Sequence, residues 1–255
     1  MRLSSGDKGY PGESERLRME DGRDWWALVG GRSRVGRRLA ELLAGRHNLV
    51  LTSSRPWTGE EAWLERLSTG VRTFCWDAET PDFGSTMMAD LAALEPEGIR
   101  LSGAVLVAGE FPRQPFGSWE AQALDRLWRV NLGFPMLAAQ ALAPGMVEGG
   151  CLQFLLDAAI HRPFLSRLPY TASKAALAAL VPGLARALAP GLRVVGHAPG
   201  TLLPAEGEDS TALARATPLG RLGTVEDLAR AVEFAAASPY LTGEILTLDG
   251  GWRLQ

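Results

Sequence analysis

The chain has 255 residues, which is enough for one large α/β domain or for two small domains. Hydrophobic residues make up 46% and charged residues 22%, and the net charge of -3 argues against a nucleic-acid partner or a membrane partner. Two distant cysteines do not make a disulfide framework, so we expect a cytoplasmic protein with free thiols.

The first 24 residues are polar and rich in Gly, Glu and Arg. They contain no apolar stretch that resembles a secretory signal and no run long enough to span a bilayer. We therefore expect residues 1–24 to form a flexible extension and residues 25–255 to form the folded domain.

Short apolar runs alternate with longer helical patterns along the rest of the chain, as in a parallel sheet with crossover helices. The predicted strands are Trp25–Val29, Leu49–Thr52, Val71–Trp76, Gly103–Val107, Leu152–Leu156, Leu192–Gly196 and Ile245–Leu248. The predicted helices are Val35–Ala44, Gly59–Leu67, Phe83–Leu94, Ser118–Val147 with a break near Gly133 and Pro135, Thr171–Leu188 and Thr224–Ala237. Two long loops, Pro163–Pro169 and Pro199–Pro218, are predicted to border a binding site.

A glycine-rich turn, GGRSRVG from Gly30 to Gly36, joins the first predicted strand to the first predicted helix. Glycine lets the backbone approach a pyrophosphate closely, and the helix start offers unpaired N–H groups to it. A glycine-containing turn is also a routine helix start, so this motif alone leaves both interpretations open. The residues of the turn predicted to contact a dinucleotide are Gly30, Arg32, Ser33, Arg34, Val35 and Gly36.

The second predicted strand ends in TSSR, with no acidic residue where an NAD enzyme would bind the adenosine ribose hydroxyls. Small hydroxyls and guanidinium groups suit a 2′-phosphate, because arginine binds phosphate oxygens in bidentate fashion. Ser54 and Arg55 therefore predict NADPH/NADP+ as the cofactor, and we expect Arg37 and Arg38 to be solvated surface residues.

Tyr170 and Lys174 lie four residues apart at the start of an apolar helix, and this spacing places both on one face. We expect the Lys174 ammonium to lower the pKa of the phenol, which would otherwise be a poor acid–base group near neutral pH. The alternative is that the two residues only frame the helix.

In combination, these motifs resemble those of the short-chain dehydrogenase/reductase family, from about Trp25 to Trp252. The matching segments, in the family's order, are Gly30–Gly36, Ala108-Gly109, Asn131, Tyr170 with Lys174, Pro199-Gly200 and Leu248–Gly251. The resemblance implies a single Rossmann-type, doubly wound α/β domain with a mainly parallel seven-stranded sheet and helices on both faces. It also implies a homotetramer that pairs through helices Ser118–Val147 and Thr171–Leu188.

The same resemblance implies roles for individual residues. Tyr170 would donate a proton to a small-molecule substrate, Lys174 would hold the nicotinamide ribose and tune Tyr170, and Asn131 would support a water linking Lys174 to solvent. The cofactor contacts that it implies beyond the glycine-rich turn are Asp77, Ala108, Gly109, Lys174, Pro199 and Gly200.

Two departures from the family pattern resemble its pteridine reductases. Asp157 stands where the family has its catalytic serine, and Arg34 replaces the middle glycine of the turn. An ionised carboxylate only accepts hydrogen bonds, which favours a substrate with N–H donors over an ordinary ketone. We therefore predict reduction of a pteridine ring C=N; alternatively, Asp157 makes only a turn hydrogen bond at a strand end.

Other departures leave two further interpretations open. Val29 replaces a threonine and Leu106-Val107 replace an Asn-Asn pair, so side-chain bonds at the centre of the sheet are missing. One alternative is a carbonyl reductase, such as a 3-oxoacyl thioester reductase with Asp157 protonated, and the other is an NADP(H)-binding sensor without catalysis. The three histidines show no metal-ligand spacing, and no metal site is expected.

Overall fold

Seven parallel strands form one sheet within residues 22–255, which are the residues that the computed structural model describes. Their bounds are β1 Trp25–Val29, β2 Asn48–Ser53, β3 Val71–Cys75, β4 Leu101–Leu106, β5 Met146–Leu155, β6 Leu192–Pro199 and β7 Ile245–Leu248. The strand order is β3-β2-β1-β4-β5-β6-β7, so the chain changes direction across the sheet between β1 and β4. Ligands of open α/β sheets bind at such a switch point, outside the carboxyl ends of the strands.

Helices cover both faces of the sheet. The α-helices of the described residues are α1 Arg34–Ala44, α2 Glu61–Arg66, α3 Phe83–Ala92, α4 Ala121–Trp128, α5 Phe134–Leu142, α6 Leu168–Leu188, α7 Ser210–Arg215 and α8 Val225–Ala237. On one face, β1 contributes Trp25, Ala27 and Val29 to a core with α3, α5 and α6. On the other face, Trp26 and Leu28 pack with α1 and α8. This confirms the predicted single Rossmann-type α/β domain with a seven-stranded parallel sheet.

The predicted helix Ser118–Val147 is the part of the pattern that differs most from the structure. It is split into α4 and α5 by a π-helical turn, Arg129–Gly133, and β5 already begins at Met146. Pro135 lies where the π-helical turn passes into α5, next to Phe134, whose N–H bonds the carbonyl of Arg129 five residues earlier. The break predicted near Gly133 and Pro135 is therefore confirmed, but the predicted end of the helix is wrong.

The predicted loops are shorter than expected. Helix α6 begins at Leu168, with Pro169 in its first turn, so it includes the end of the first loop. The second loop contains α7, whose N-cap Asp209 accepts the amides of Thr211 and Ala212.

The predicted flexible extension falls on residues 1–24, of which residues 1–21 lie outside the described part of the chain. Its last two residues contact the domain. Arg23 donates to the carbonyls of Ala44 and Ser68, and Asp24 binds the side chains of His47 and Ser102. None of the described helices is both long enough and apolar enough to cross a bilayer.

Candidate active site and cofactor cleft

A cleft of about 480 Å³ lies beside the switch point, next to the carboxyl ends of β1, β2 and β4. Most of the predicted cofactor residues line it: Gly30, Arg32, Ser33, Arg34, Ser54, Arg55, Asp77, Ala108 and Gly109. Five others do not belong to its lining, namely Val35, Gly36, Lys174, Pro199 and Gly200. The structure thus brings together residues from four separate segments that the sequence analysis proposed for one ligand.

The glycine-rich turn is packed tightly against β4. Gly30 has a φ of 95°, and a Cβ there would lie 2.8 Å from the amide nitrogen of Ala108. Ser33 caps α1 by accepting the amide of Gly36 at 2.9 Å. The amides of Arg34 and Val35 begin α1 and have no partner within the helix, which is the arrangement that binds phosphate groups. Gly36 itself lies beneath the turn, where a Cβ would meet the Gly30 carbonyl oxygen at 2.2 Å.

Backbone hydrogen bonds hold the centre of the sheet where the family's side-chain bonds are missing. The amides of Val107 and Ala108 both donate to the carbonyl of Val29, at 2.8 and 3.0 Å. The departures at Val29 and Leu106-Val107 therefore leave the strands and the turn joined through the main chain.

The arginines at the start of α1 have different surroundings. Arg34 reaches across to the loop after β6, where it donates to the carbonyls of Leu203 and Pro204. Arg38 is exposed and pairs with Glu226, as predicted for a surface residue. The prediction for Arg37 is wrong, because its side chain lines the cleft and pairs with Glu60.

Glu60 also binds Arg32, whose second nitrogen donates to the carbonyl of Pro56 at 2.6 Å. By contrast, within residues 22–255 the guanidinium of exposed Arg55 has no hydrogen-bond or ion-pair partner. The cleft thus combines open amides at a helix start with an uncommitted guanidinium, and these donors fit the phosphates of a dinucleotide.

Tyr170 and Asp157 form a direct hydrogen bond at the end of β5. The phenol donates to Asp157 Oδ2 at 2.7 Å, while Asp157 Oδ1 accepts the amide of Ala159 at 2.8 Å. The predicted turn hydrogen bond at the strand end is therefore present, and the other carboxylate oxygen faces the phenol. Tyr170 is 6% exposed.

Burial has the largest effect on the pKa values of this pair. Burial, followed by the charge and the hydrogen bond of Asp157, raises the pKa of Tyr170 well above its usual value. Burial also raises the pKa of Asp157, although the bonds from Ala159 and Tyr170 and the charge of Lys174 act in the opposite direction. The expected lowering of the phenol's pKa by Lys174 is not found, because Arg167 is the cation that acts on the phenol.

Lys174 and Asn131 flank Gly109, where a Cβ would lie 3.5 Å from Lys174 Nζ and 3.4 Å from Asn131 Oδ1. The ammonium donates to the carbonyl of Leu155 at 2.8 Å, and burial lowers its pKa to about 8. The amide of Asn131 accepts from the backbone N–H of Glu110 and donates to its carbonyl, at 2.7 and 2.9 Å. Asn131 thereby fixes the backbone that follows Gly109, and its predicted water stays a prediction.

An aromatic cluster covers the phenol of Tyr170. Phe111 meets the Tyr170 ring edge to face at 4.6 Å, Phe164 lies 5.9 Å from Phe111, and Trp252 lies 5.2 Å from Phe164. The guanidinium of Arg167 lies over Phe111 at 3.9 Å. A substrate that reaches Tyr170 therefore meets flat apolar rings from three separate segments.

Several cleft residues were missed by the sequence analysis, among them Glu60, Glu110 and Arg126. Arg126 pairs with Glu110 and with Glu79 at the rim. None of these residues belongs to a motif, and only the tertiary structure brings them to the cleft. Cys75, at the end of β3, has an exposed thiol, and burial followed by the charge of Asp77 raises its pKa.

Known proteins resemble this chain over most of its length. A family profile described as enoyl-(acyl carrier protein) reductase matches residues 32–253. Gluconate 5-dehydrogenase of Gluconobacter oxydans is 30% identical over 249 residues, which cover 88% of this chain and 93% of that protein.

A plant relative matches over a shorter stretch. Short-chain dehydrogenase/reductase SDRA of Arabidopsis thaliana is 34% identical over 146 residues, or 54% of this chain and 58% of that protein. The match thus spans little more than half of the plant protein.

Among solved structures, a blue fluorescent protein from a metagenomic library in complex with NADPH superposes with a TM-score of 0.80 at 26% identity. The match covers 90% of this chain and 97% of that protein.

Proposed function

This chain is an oxidoreductase of the short-chain dehydrogenase/reductase family, and on that premise we propose that it is an NADPH-dependent reductase with Tyr170 as proton donor. The family uses a nicotinamide cofactor, which when bound supplies the hydride. The uncommitted guanidinium of Arg55 and the small side chain of Ser54 support a contact with a 2′-phosphate. The NADPH bound to a structurally similar protein agrees with this choice.

Different residues of the chain would bind different parts of the cofactor. The amides of Arg34 and Val35 at the start of α1 suit the pyrophosphate. Lys174, beside Gly109, would hold the nicotinamide ribose, and Asp77 would contact the adenine.

The proton is available at Tyr170. The raised pKa of the phenol keeps it protonated at neutral pH, which suits a donor in the reductive direction. Its proton points at Asp157, whose own pKa is raised by burial. Loss of this proton would place a phenolate beside the Asp157 carboxylate, so Tyr170 has to be reprotonated after each transfer.

A pteridine is the substrate that we propose, and the hydrogen bond between Tyr170 and Asp157 carries this choice. A carboxylate in place of serine can accept N–H groups from the aminopyrimidine edge of a pterin. The rings of Phe111, Phe164 and Trp252 suit a flat heterocycle. Hydride addition to the ring C=N carbon and proton transfer to its nitrogen would replace the π bond with C–H and N–H bonds.

A carbonyl reductase is the second candidate. The raised pKa of Asp157 favours it, since a protonated carboxyl can donate a hydrogen bond to a carbonyl oxygen as serine does. A 3-oxoacyl thioester is one such substrate, and the gluconate dehydrogenase among the relatives is named for a hydroxy-acid substrate. The third candidate, a sensor without catalysis, predicts no turnover at all.

Purified protein assayed for NADPH oxidation with a dihydropteridine and with an acetoacetyl thioester, side by side, tests these candidates. We expect turnover of the dihydropteridine. Turnover of the thioester alone would select the carbonyl reductase, and no turnover of either, with NADPH bound, would support the sensor.

We also propose that the protein is a cytoplasmic homotetramer. Trp128, Met136 and Leu137 on α4 and α5 are 37–43% exposed, and their apolar surface supports pairing through these helices. The measurement is the molar mass by light scattering, and a monomer at micromolar concentration would contradict the proposal.

A further inference from the structure

One carboxylate lies among the arginines of the cofactor cleft. Glu60, directly before α2, places its side chain in the cleft, where it is 13% exposed. One oxygen accepts from Arg32 at 2.9 Å, and the other binds Arg37. Arg37 in turn lies over the ring of Trp63 at 4.7 Å, so the carboxylate is held by fixed partners.

These contacts locate Glu60 at the end of β2. Arg32 joins Glu60 to the carbonyl of Pro56, the residue that follows Arg55. In Rossmann-type domains the end of the second strand receives the 2′ position of the adenosine ribose. In an NAD enzyme, an acidic residue at the end of the second strand occupies this position. Here Glu60, directly before α2, approaches it instead.

The charges at this end of the cleft are positive overall, and Glu60 reduces the excess. Arg32 and Arg37 carry two positive charges, and Glu60 offsets one of them while occupying donors of both. Arg55 remains free of such a partner within the described residues. A carboxylate repels a 2′-phosphate but accepts hydrogen bonds from ribose hydroxyls.

We propose that Glu60 sets the cofactor selectivity of this protein: it weakens the preference for NADPH and lets the same cleft bind NADH. This inference rests on the proposed binding of a nicotinamide dinucleotide in the cleft. Arg55 favours the phosphate and Glu60 favours the free hydroxyls, so the ratio of the two affinities depends on both residues.

The test is to measure the dissociation constants of NADPH and NADH by calorimetry for the wild type and for Glu60→Gln. Loss of the carboxylate should raise the NADPH-to-NADH affinity ratio by about tenfold, since a like charge is removed from the phosphate site. Glu61→Gln is the matched control, because Glu61 is exposed, does not line the cleft and, among residues 22–255, bonds only the amide of Gly59. An unchanged or reduced ratio in Glu60→Gln would overturn the proposal.

Glu60→Asp tests the charge itself. It keeps the carboxylate, so the ratio should stay within about threefold of the wild type, and a rise equal to that of Glu60→Gln would overturn the proposal. Glu60→Ala repeats the test if the glutamine variant is not recovered folded. A wild type that binds NADH more tightly than NADPH would contradict the proposed cofactor preference, while a raised ratio in Glu60→Gln would still support the role of Glu60.

Discussion

The phenol of Tyr170 donates a hydrogen bond to the carboxylate of Asp157 at 2.7 Å. The expected proton donor is therefore in direct contact with a second buried ionisable group. The carboxylate is anchored by the amide of Ala159, and the phenol is held by a helix that packs against the sheet. A proton lost from the pair would leave two negative charges in contact, and this couples the two groups during any reaction.

Tyr170→Phe removes the proton but keeps the ring that packs against Phe111. We expect turnover to fall by at least about 100-fold, because general acid catalysis contributes factors of this size. The affinity for NADPH, measured by calorimetry, should stay within about twofold of the wild type. Residual turnover close to that of the wild type would exclude Tyr170 as the donor.

Asp157→Ser restores the side chain found in most of the family. We expect reduction of a dihydropteridine to fall by about tenfold or more, since the acceptor for its N–H groups is lost. Reduction of the acetoacetyl thioester should rise, because a hydroxyl can donate to a carbonyl oxygen. Steady-state kinetics with both substrates check this, and an unchanged pterin rate would remove the carboxylate from substrate recognition.

Arg55→Ala removes the uncommitted guanidinium of the cleft. We expect the affinity for NADPH to fall by about tenfold, as a charge-assisted hydrogen bond to phosphate is lost, and the affinity for NADH to change little. Arg38→Ala is the matched control, because Arg38 is exposed and paired with Glu226 away from the cleft. Equal losses for both cofactors in Arg55→Ala would argue against a contact with the 2′-phosphate.

The pKa of Lys174 predicts that kcat/KM declines at alkaline pH. Burial lowers this pKa to about 8, so the ammonium that is proposed to hold the ribose loses its proton as the pH rises through 8. We expect kcat/KM to be level just below pH 8 and to decline above it. Asp157→Asn should shift this alkaline decline to lower pH, because the charge of Asp157 acts to raise the pKa of Lys174. A shift to higher pH would contradict the assignment of the decline to Lys174.

Asp24 predicts a loss of stability in acid. Burial acts to raise its pKa, but hydrogen bonds from His47, Ser102 and Trp26 outweigh burial and lower it from 3.8 to about 2. A carboxylate whose pKa is lower in the folded state than in the unfolded state stabilises the protein at pH values above its unfolded-state pKa. This stabilisation is lost as the pH falls towards 2. The contribution at pH 6 is about 2 kcal/mol.

Urea unfolding of the wild type and of Asp24→Asn measures this contribution. The difference in the free energy of unfolding should be about 2 kcal/mol at pH 6 and should shrink as the pH falls from about 4 towards 2. A difference that does not depend on pH would mean that the asparagine only disturbs packing.

The fold could be predicted because its signal is local. The apolar run Trp25–Val29 is buried at every position, and its predicted bounds agree with β1, as those of β7 do. The division between α4 and α5 was visible at Pro135, whereas the start of β5 was not, because Met146 and Val147 also continue a helical pattern.

The site could be predicted only where motifs have fixed spacing. Tyr170 and Lys174 lie one helical turn apart, so their proximity follows from the sequence alone. The contact of Glu60 with Arg32 and Arg37 depends on where α2 starts relative to the turn after β1, which no spacing in the sequence specifies. The raised pKa of Tyr170 was missed for a similar reason, since burial and the contact with Asp157 outweigh the charge of Arg167.

The unequal burial of the two cysteines gives the protein a natural attachment point for a reporter group. The thiol of Cys75 is exposed at the end of β3, two residues before Asp77 of the cleft, whereas Cys151 is fully buried in β5. A maleimide dye should therefore react at one position in the native protein. The raised pKa of Cys75 lowers its thiolate fraction, so coupling at neutral pH should be slow. Dye fluorescence would then follow nucleotide entry in real time without any engineered cysteine.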